Sequence, residues 1–413
     1  VARRGRHGAA LSPARVTRAL ALEQLRLHDD ETALRRRHAH ALRAEWDAAE
    51  TALFAGELGV QRWRDAALGD WPDAREALSW ARNAGETELA LALASAMLLR
   101  MPHALHRERL QLAQRCEPWL AETGDAALQR RAWSAIAVAW ANQQPSRALQ
   151  AAEAALALAR RLEGADPFVL YDALCEAAGP VYDPAHLPRA QALLAEARGI
   201  ENPQWPPVRL RSAARLEARI AIARGDMAAA LPLLRRLLAL SRAAGDPSHL
   251  TQVNLADLEL LAGDVAASIR TGRAVVAELA RERDSATAAA ALVNLAAALL
   301  ADGDTAGRAE ARAMLERAWP IAQRLGRLDW CIAYTALLAA LEGRFEAAAR
   351  LLAAAQARVA AADGTIEKNE GAACRRALAL VRRAAPALLE QGKGATAALS
   401  DEEARALAFE GPG

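Results

Sequence analysis

Residues 254–264 read NLADLELLAGD, and residues 294–304 read NLAAALLADGD. The same Asn-Leu-Ala opening and Gly-Asp close return after 40 residues, and the region from Val208 to Gly364 carries related forms of the pattern four times. Gly225-Asp226, Gly263-Asp264, Gly303-Asp304 and Gly343-Arg344 recur at spacings of 38, 40 and 40 residues, each between Ala- and Leu-rich helical segments. Ala218, Ala256, Ala296 and Ala336 stand seven residues before the four glycines. A fixed period of this size marks a repeat architecture, in which each unit buries its hydrophobic face by stacking on the next.

Composition agrees with that reading. The 413 residues would ordinarily suggest about three domains, but a solenoid grows by adding units. Hydrophobic residues make up 53% of the chain and aromatic ones only 4%, so a core must be built from Ala and Leu on closely spaced helices, which argues for an all-α fold. With 52 basic and 50 acidic residues the formal charge is +2, which exerts no general pull toward nucleic acid or anionic membrane. The basic excess is local: residues 1–45 carry ten Arg against five acids. Cys116, Cys175, Cys331 and Cys374 are scattered with no C-x-x-C pair, so neither a zinc knuckle nor a small disulfide framework is expected. Unpatterned thiols, no signal-peptide run and no stretch near 18 apolar residues give the expectation of a soluble, cytoplasmic protein.

In chain order, residues 1–14 read as a disordered basic arm and 15–84 as an N-terminal helical linker or cap, with helices at Arg15–Leu27, Glu31–Phe54, Gln61–Ala67 and Pro72–Asn83. Breaks near Gly85, Gly124, Gly164, Pro203, Gly245, Asp284 and Gly326 then mark seven helical hairpins. Those in 85–204 are degenerate, with Pro102, Pro145 and the Gly179–Pro188 loop; those in 205–364 are regular. Residues 365–413 supply C-terminal capping helices and a tail, where Ser400 and Glu403 form a capping box.

The spacing resembles the tetratricopeptide repeat, in which a small residue of helix A packs on a small residue of helix B and a glycine turns the corner. The helix B partners are Ala230, Ser268 and Ala348, five residues after their glycines; in the unit of Gly303 the register slips by three, to Ala311. The expected fold is an all-α, tetratricopeptide-like superhelix (solenoid) of about seven hairpins. Units longer than the usual repeat favour an elongated-helix variant, with armadillo-like geometry as the alternative. The resemblance implies that helix A lines the inner face, which places Arg215, Arg219, Asn254, Asp257, Asn294, Trp330 and Tyr334 on a candidate ligand-binding ladder. Arg215 and Arg219, at i and i+4, share a helix face and suit a carboxylate or phosphate; the alternative is an ordinary solvated face.

Stretches outside the array extend the likeness. Arg18–Ala48, with Ala33-Leu34-Arg35-Arg36-Arg37-His38-Ala39, resembles the segment that follows the ATPase and helical lid in bacterial signal-transduction ATPases of the maltose-regulator kind. Arg75-Glu76-Ala77-Leu78-Ser79-Trp80-Ala81 resembles the start of their sensor arm, although Asp73 stands where that family has Asn. The tail from Leu389 through Ser400-Asp401-Glu402-Glu403-Ala404 resembles the family's ending. A phosphate loop is missing, since Gly392-Lys393 is followed by Gly394 and Ala387 replaces the first glycine. The resemblance therefore implies a sensor arm without its motor, which binds a protein, a peptide or a small effector. Its implied partner is an ATPase or DNA-binding module in the same or a neighbouring polypeptide. The alternatives are an RNA-binding helical repeat and a stand-alone scaffold. RNA recognition by helical repeats would need a basic ladder, and Asp257, Ala297 and Leu337 occupy the positions equivalent to Arg219.

No catalytic, cofactor or metal constellation emerges, so the chain is read as a non-enzyme without cofactor. His38 and His40, near His28-Asp29-Asp30-Glu31, point to different sides of a helix, and His103 and His106 lack a third ligand. Trp133 and Trp140 share a face and read more naturally as core than as an aromatic pocket.

Overall fold

A computed structural model describes residues 31–101, 105–141, 144–178, 184–281, 285–361, 368–388 and 399–410. The expected arm 1–14, the helix from Arg15, the acidic cluster at 28–30, His103 and the Gly392-Lys393 pair lie outside them. The described residues form nineteen α-helices and no strand. Helices α1 (Glu31–Ala55), α2 (Val60–Gly69) and α3 (Trp71–Asn83) come first. Seven hairpins follow. The first joins α4 (Thr87–Arg100) to α5 (His106–Cys116), which runs into a 3₁₀ turn at Glu117–Glu122. The second and third are α6 (Ala126–Trp140) with α7 (Pro145–Ala159), and α8 (Pro167–Ala177) with α9 (Leu187–Ile200). The regular four are α10 (Pro207–Ala223) with α11 (Met227–Ala243), α12 (His249–Leu261) with α13 (Val265–Glu278), α14 (Ala286–Asp302) with α15 (Thr305–Arg324), and α16 (Asp329–Leu341) with α17 (Phe345–Ala361). Helices α18 (Lys368–Ala384) and α19 (Asp401–Phe409) close the chain.

The Gly-Asp dipeptide ends one helix and starts the next. Gly263 sits at φ +86°. Its N–H donates to Leu260 O at 2.9 Å, and the Asp264 N–H to Glu259 O at 2.9 Å, the two bonds of a Schellman motif. The Asp264 carboxylate then accepts from the Ala267 N–H at 3.0 Å and caps α13. Gly303 is also left-handed but makes only the single bond to Leu299 O, at 3.4 Å, and Asp304 gives no side-chain cap. This is the unit in which the register slip is expected. Ala311 is buried there, while Arg308, five residues after the glycine, is half-exposed and donates to Leu341 O at 3.2 Å.

Small-residue packing is seen directly in the second regular hairpin, where the buried Ser268 Oγ donates to Ala256 O at 2.7 Å. Ala218, Ala230, Ala296, Ala336 and Ala348 are all buried. Gly272 adds a contact between hairpins that the repeat pattern does not contain: a Cβ there would lie 3.2 Å from Leu295 Cδ1.

The chain divides into two compact units, Val1–Pro180 with Pro188–Arg209, and Val181–Leu187 with Leu210–Gly413. In the first, α1, α2, α3, α5 and α6 all pack on α4, and every residue from Leu89 to Leu98 is buried. Arg100 ends this apolar run. Its guanidinium donates to Trp46 O at 2.8 Å and lies 4.4 Å from the Trp63 ring centroid. Glu50 stands 3.7 Å from Arg100 and 2.7 Å from Arg131, which also binds Asp47 at 2.8 Å. Burial pulls the Arg100 guanidinium down to about 10. In the second unit α15, α17, α18 and α19 pack on α16, and every residue from Cys331 to Ala340 is buried. An apolar surface all round a helix is what enclosure on all sides requires.

Candidate interaction face

The expected ladder runs along the first helices of the four regular hairpins. Its upper part is accessible: Arg215 on α10 and Asn254 on α12 are exposed, and Arg219 is half-buried. Asn294 and Trp330 are engaged within the protein. The Asn294 amide donates to Val253 O at 3.3 Å, which staples α14 to α12. Trp330 is half-buried beneath the Arg327 guanidinium, 4.4 Å from its centroid.

Two members differ from the open ladder that was expected. Tyr334 is 2% exposed and belongs to the core around α16, so it does not line an open surface. Asp257 is half-buried and bound by the chain itself: the Asn369 amide of α18 donates to its carboxylate at 2.7 Å and to its backbone oxygen at 3.0 Å. Removal from water raises the Asp257 carboxyl above its usual range, and the Asn369 hydrogen bond opposes that rise.

The physical reason is α18. This helix packs on α12 and α16, and its Arg376 donates to Leu300 O at the end of α14 at 2.8 Å. It therefore lies over the first helices of three successive hairpins. The position six residues before each turn glycine records this: Arg219 and Asp257 are half-buried, whereas Ala297 and Leu337 are buried. The polar Asp257 meets the edge of α18 through the Asn369 amide, and the two positions that follow in the array are apolar.

Helix α19 has a different seat. It packs on α15, α16 and α17, and its Phe409 ring meets the Trp319 ring edge-on, with centroids 5.4 Å apart. Arg344, which departs from the Gly-Asp pattern, donates to Leu407 O at 2.7 Å and to Ala408 O at 2.9 Å. A guanidinium at the carboxyl end of a helix meets its unsatisfied carbonyls and the negative end of its dipole. The Ser400–Glu403 capping box opens the same helix.

Among the described residues no group of three His, Cys, Asp or Glu side chains is placed to hold a metal, and no helix is long and apolar enough to cross a membrane. Trp140 is buried and donates to Glu117 Oε1 at 3.2 Å, while Trp133 is half-buried.

Stacked hairpins with small residues at the crossings and glycine at the corners define a tetratricopeptide-type helical-repeat fold. Among solved structures, the chain is similar to a Signal Transduction ATPase with Numerous Domains (STAND) protein with a tetratricopeptide repeat sensor, from Pyrococcus horikoshii, with a TM-score of 0.57 and 16% identity. The match covers 84% of this chain and 54% of the archaeal one, so it spans about half the length of that protein. At this identity the likeness is one of fold. No protein-family model and no curated protein matches the chain.

Proposed function

We propose that this chain is a non-catalytic interaction module, the regulatory arm of a bacterial ATPase-linked transcriptional regulator. It acts in the cytoplasm with an ATPase or DNA-binding module in the same or a neighbouring polypeptide. The observation that carries this reading is the fold likeness to a protein that pairs a signal-transduction ATPase with a tetratricopeptide sensor. The input is a protein or peptide, or a small effector, taken at the first-helix face where Arg215 and Asn254 are exposed, with Arg219 half-buried beside them. An RNA-binding role is disfavoured because Asp257, Ala297 and Leu337 break the basic ladder begun at Arg219.

The test is affinity purification of the tagged chain from its own cells at moderate salt, with protein and nucleic acid both analysed. Recovery of a polypeptide with an ATPase domain at near-equal amount is the expected result. Retention of RNA without a protein partner refutes the proposal.

A further inference from the structure

Helix α18 is anchored by one face and presents the other to solvent. Ala373, Ala377 and Val381, at i, i+4 and i+8, belong to the core cluster of the second unit, and the helix packs on α16 and α17. At 3.6 residues per turn the opposite face carries Lys368 and the pairs Arg375-Arg376 and Arg382-Arg383 over a floor of Ala372 and Ala379, all exposed. The two arginine pairs are seven residues apart, about 10 Å along the axis. The one acid of the helix, Glu370, is half-buried. Arg376 donates to Leu300 O, and Arg375, Arg382 and Arg383 have no hydrogen bond or ion pair among the described residues. By contrast Arg273, Arg312 and Arg358 of the same unit are each matched by a carboxylate, from Glu310, Glu342 and Asp401. Repulsion among cations set on one face gives the fold nothing, and a bound anion relieves it. Because α18 lies over α12, α14 and α16, this basic surface stands in place of theirs on the first-helix side of the unit.

We propose that the outer face of α18 is a docking site for an acidic peptide segment of a partner protein. Its Asp and Glu carboxylates meet the guanidinium pairs, each of which can take a carboxylate through two parallel N–H donors. The low alanine floor lets a polypeptide lie close to the helix. A helix of 17 residues is about 25 Å long, shorter than one turn of a nucleic-acid duplex, and the chain as a whole is nearly neutral, which favours a short acidic peptide over a phosphate backbone. The apolar stripe of α18 is occupied by the core, so the helix has no apolar face to lay on a membrane. The inference rests on reading the array as an interaction module and adds the chemistry of what it recognises.

The probe is a short fluorescein-labelled peptide with Glu at every third and fourth position, titrated into the full chain at low salt beside its Gln counterpart and a single-stranded oligonucleotide of equal charge. Saturable binding of the Glu peptide, weakened by salt and absent for the Gln peptide, is expected. Arg375→Gln with Arg382→Gln and Arg383→Gln removes three exposed cations and leaves Arg376 on Leu300 O; it should lower the affinity roughly tenfold. The same number of charges removed from exposed arginines of the first unit, by Arg37→Gln, Arg107→Gln and Arg115→Gln, should change it less than about twofold. A single Arg382→Lys variant gives a second readout that asks little of folding: carbodiimide should join a peptide carboxylate to the introduced amine. Equal losses in the two triple variants, no saturable binding of the Glu peptide, no cross-link at position 382, or tighter retention of the oligonucleotide than of the peptide each overturns the proposal. If the peptide docks here but no ATPase polypeptide is recovered from cells, the basic face stands and the regulator reading falls. If such a polypeptide is recovered equally well by the α18 triple variant, the regulator reading stands and this docking site falls.

Discussion

Burial raises the Asp257 carboxyl, so folding opposes its ionisation. As pH rises from the ordinary unfolded value near 4, the unfolded chain ionises first and the stability tied to the protonated group is lost through the raised folded value. Asp257→Asn abolishes the titration and keeps an oxygen that can accept from Asn369. Its melting temperature should differ least from wild type near pH 3 and gain on it toward pH 7; a gain that shrinks over that range contradicts the burial argument. Ala296 is fully buried at a helix crossing, where a leucine would add three more carbon atoms. Ala296→Leu is expected to cost roughly 1–3 kcal/mol by overpacking, read from chemical denaturation. The alanine and its glycine partner were legible because only a small side chain suits a close crossing. The inward turn of Asn294 was not, since a polar residue at a helix edge reads alike whether it faces water or, as here, bonds the Val253 carbonyl.

Elements that look alike in the sequence separate once their corners are seen. Gly124 marks a break between hairpins and Gly263 a corner within one; Gly263 is left-handed and Gly124 is not among the left-handed glycines. Gly263→Ala places a Cβ in open space yet forces it into the left-handed region, at a cost of roughly 1–2 kcal/mol. Gly124→Ala meets neither steric nor conformational resistance and should leave the denaturation midpoint unchanged or slightly raised. The hairpins were readable from spacing, while the carboxylate caps at Asp226 and Asp264 emerge from the structure. The seat of α18 was not legible, because an amphipathic pattern tells which face is buried without telling what buries it. A trace was nevertheless present: Arg219, Asp257, Ala297 and Leu337, equivalent positions in successive units, pass from charged to apolar along the array.

At the scale of the molecule, each compact unit encloses the middle of one helix on all sides, Leu89–Leu98 of α4 in the first and Cys331–Ala340 of α16 in the second. In the first unit the enclosing helix α1 is tied to α4 and α6 through Glu50, between Arg100 and Arg131. Glu50→Ala leaves the buried Arg100 without that neighbour and is expected to cost about 2–3 kcal/mol, below the usual figure for a fully buried pair because Glu50 keeps some solvent contact. Trp46 and Trp63, which flank Arg100 with ring centroids 5.2 and 4.4 Å away, make the loss visible as an early change in intrinsic fluorescence on denaturation. Enclosure of α16 has a consequence in time as well as in space. Cys331–Ala340 has no side facing water, so its amide protons exchange with solvent only when the whole second unit opens. Deuterium uptake along this helix is therefore a clock for that opening, and in the absence of a partner it should be the slowest in the unit.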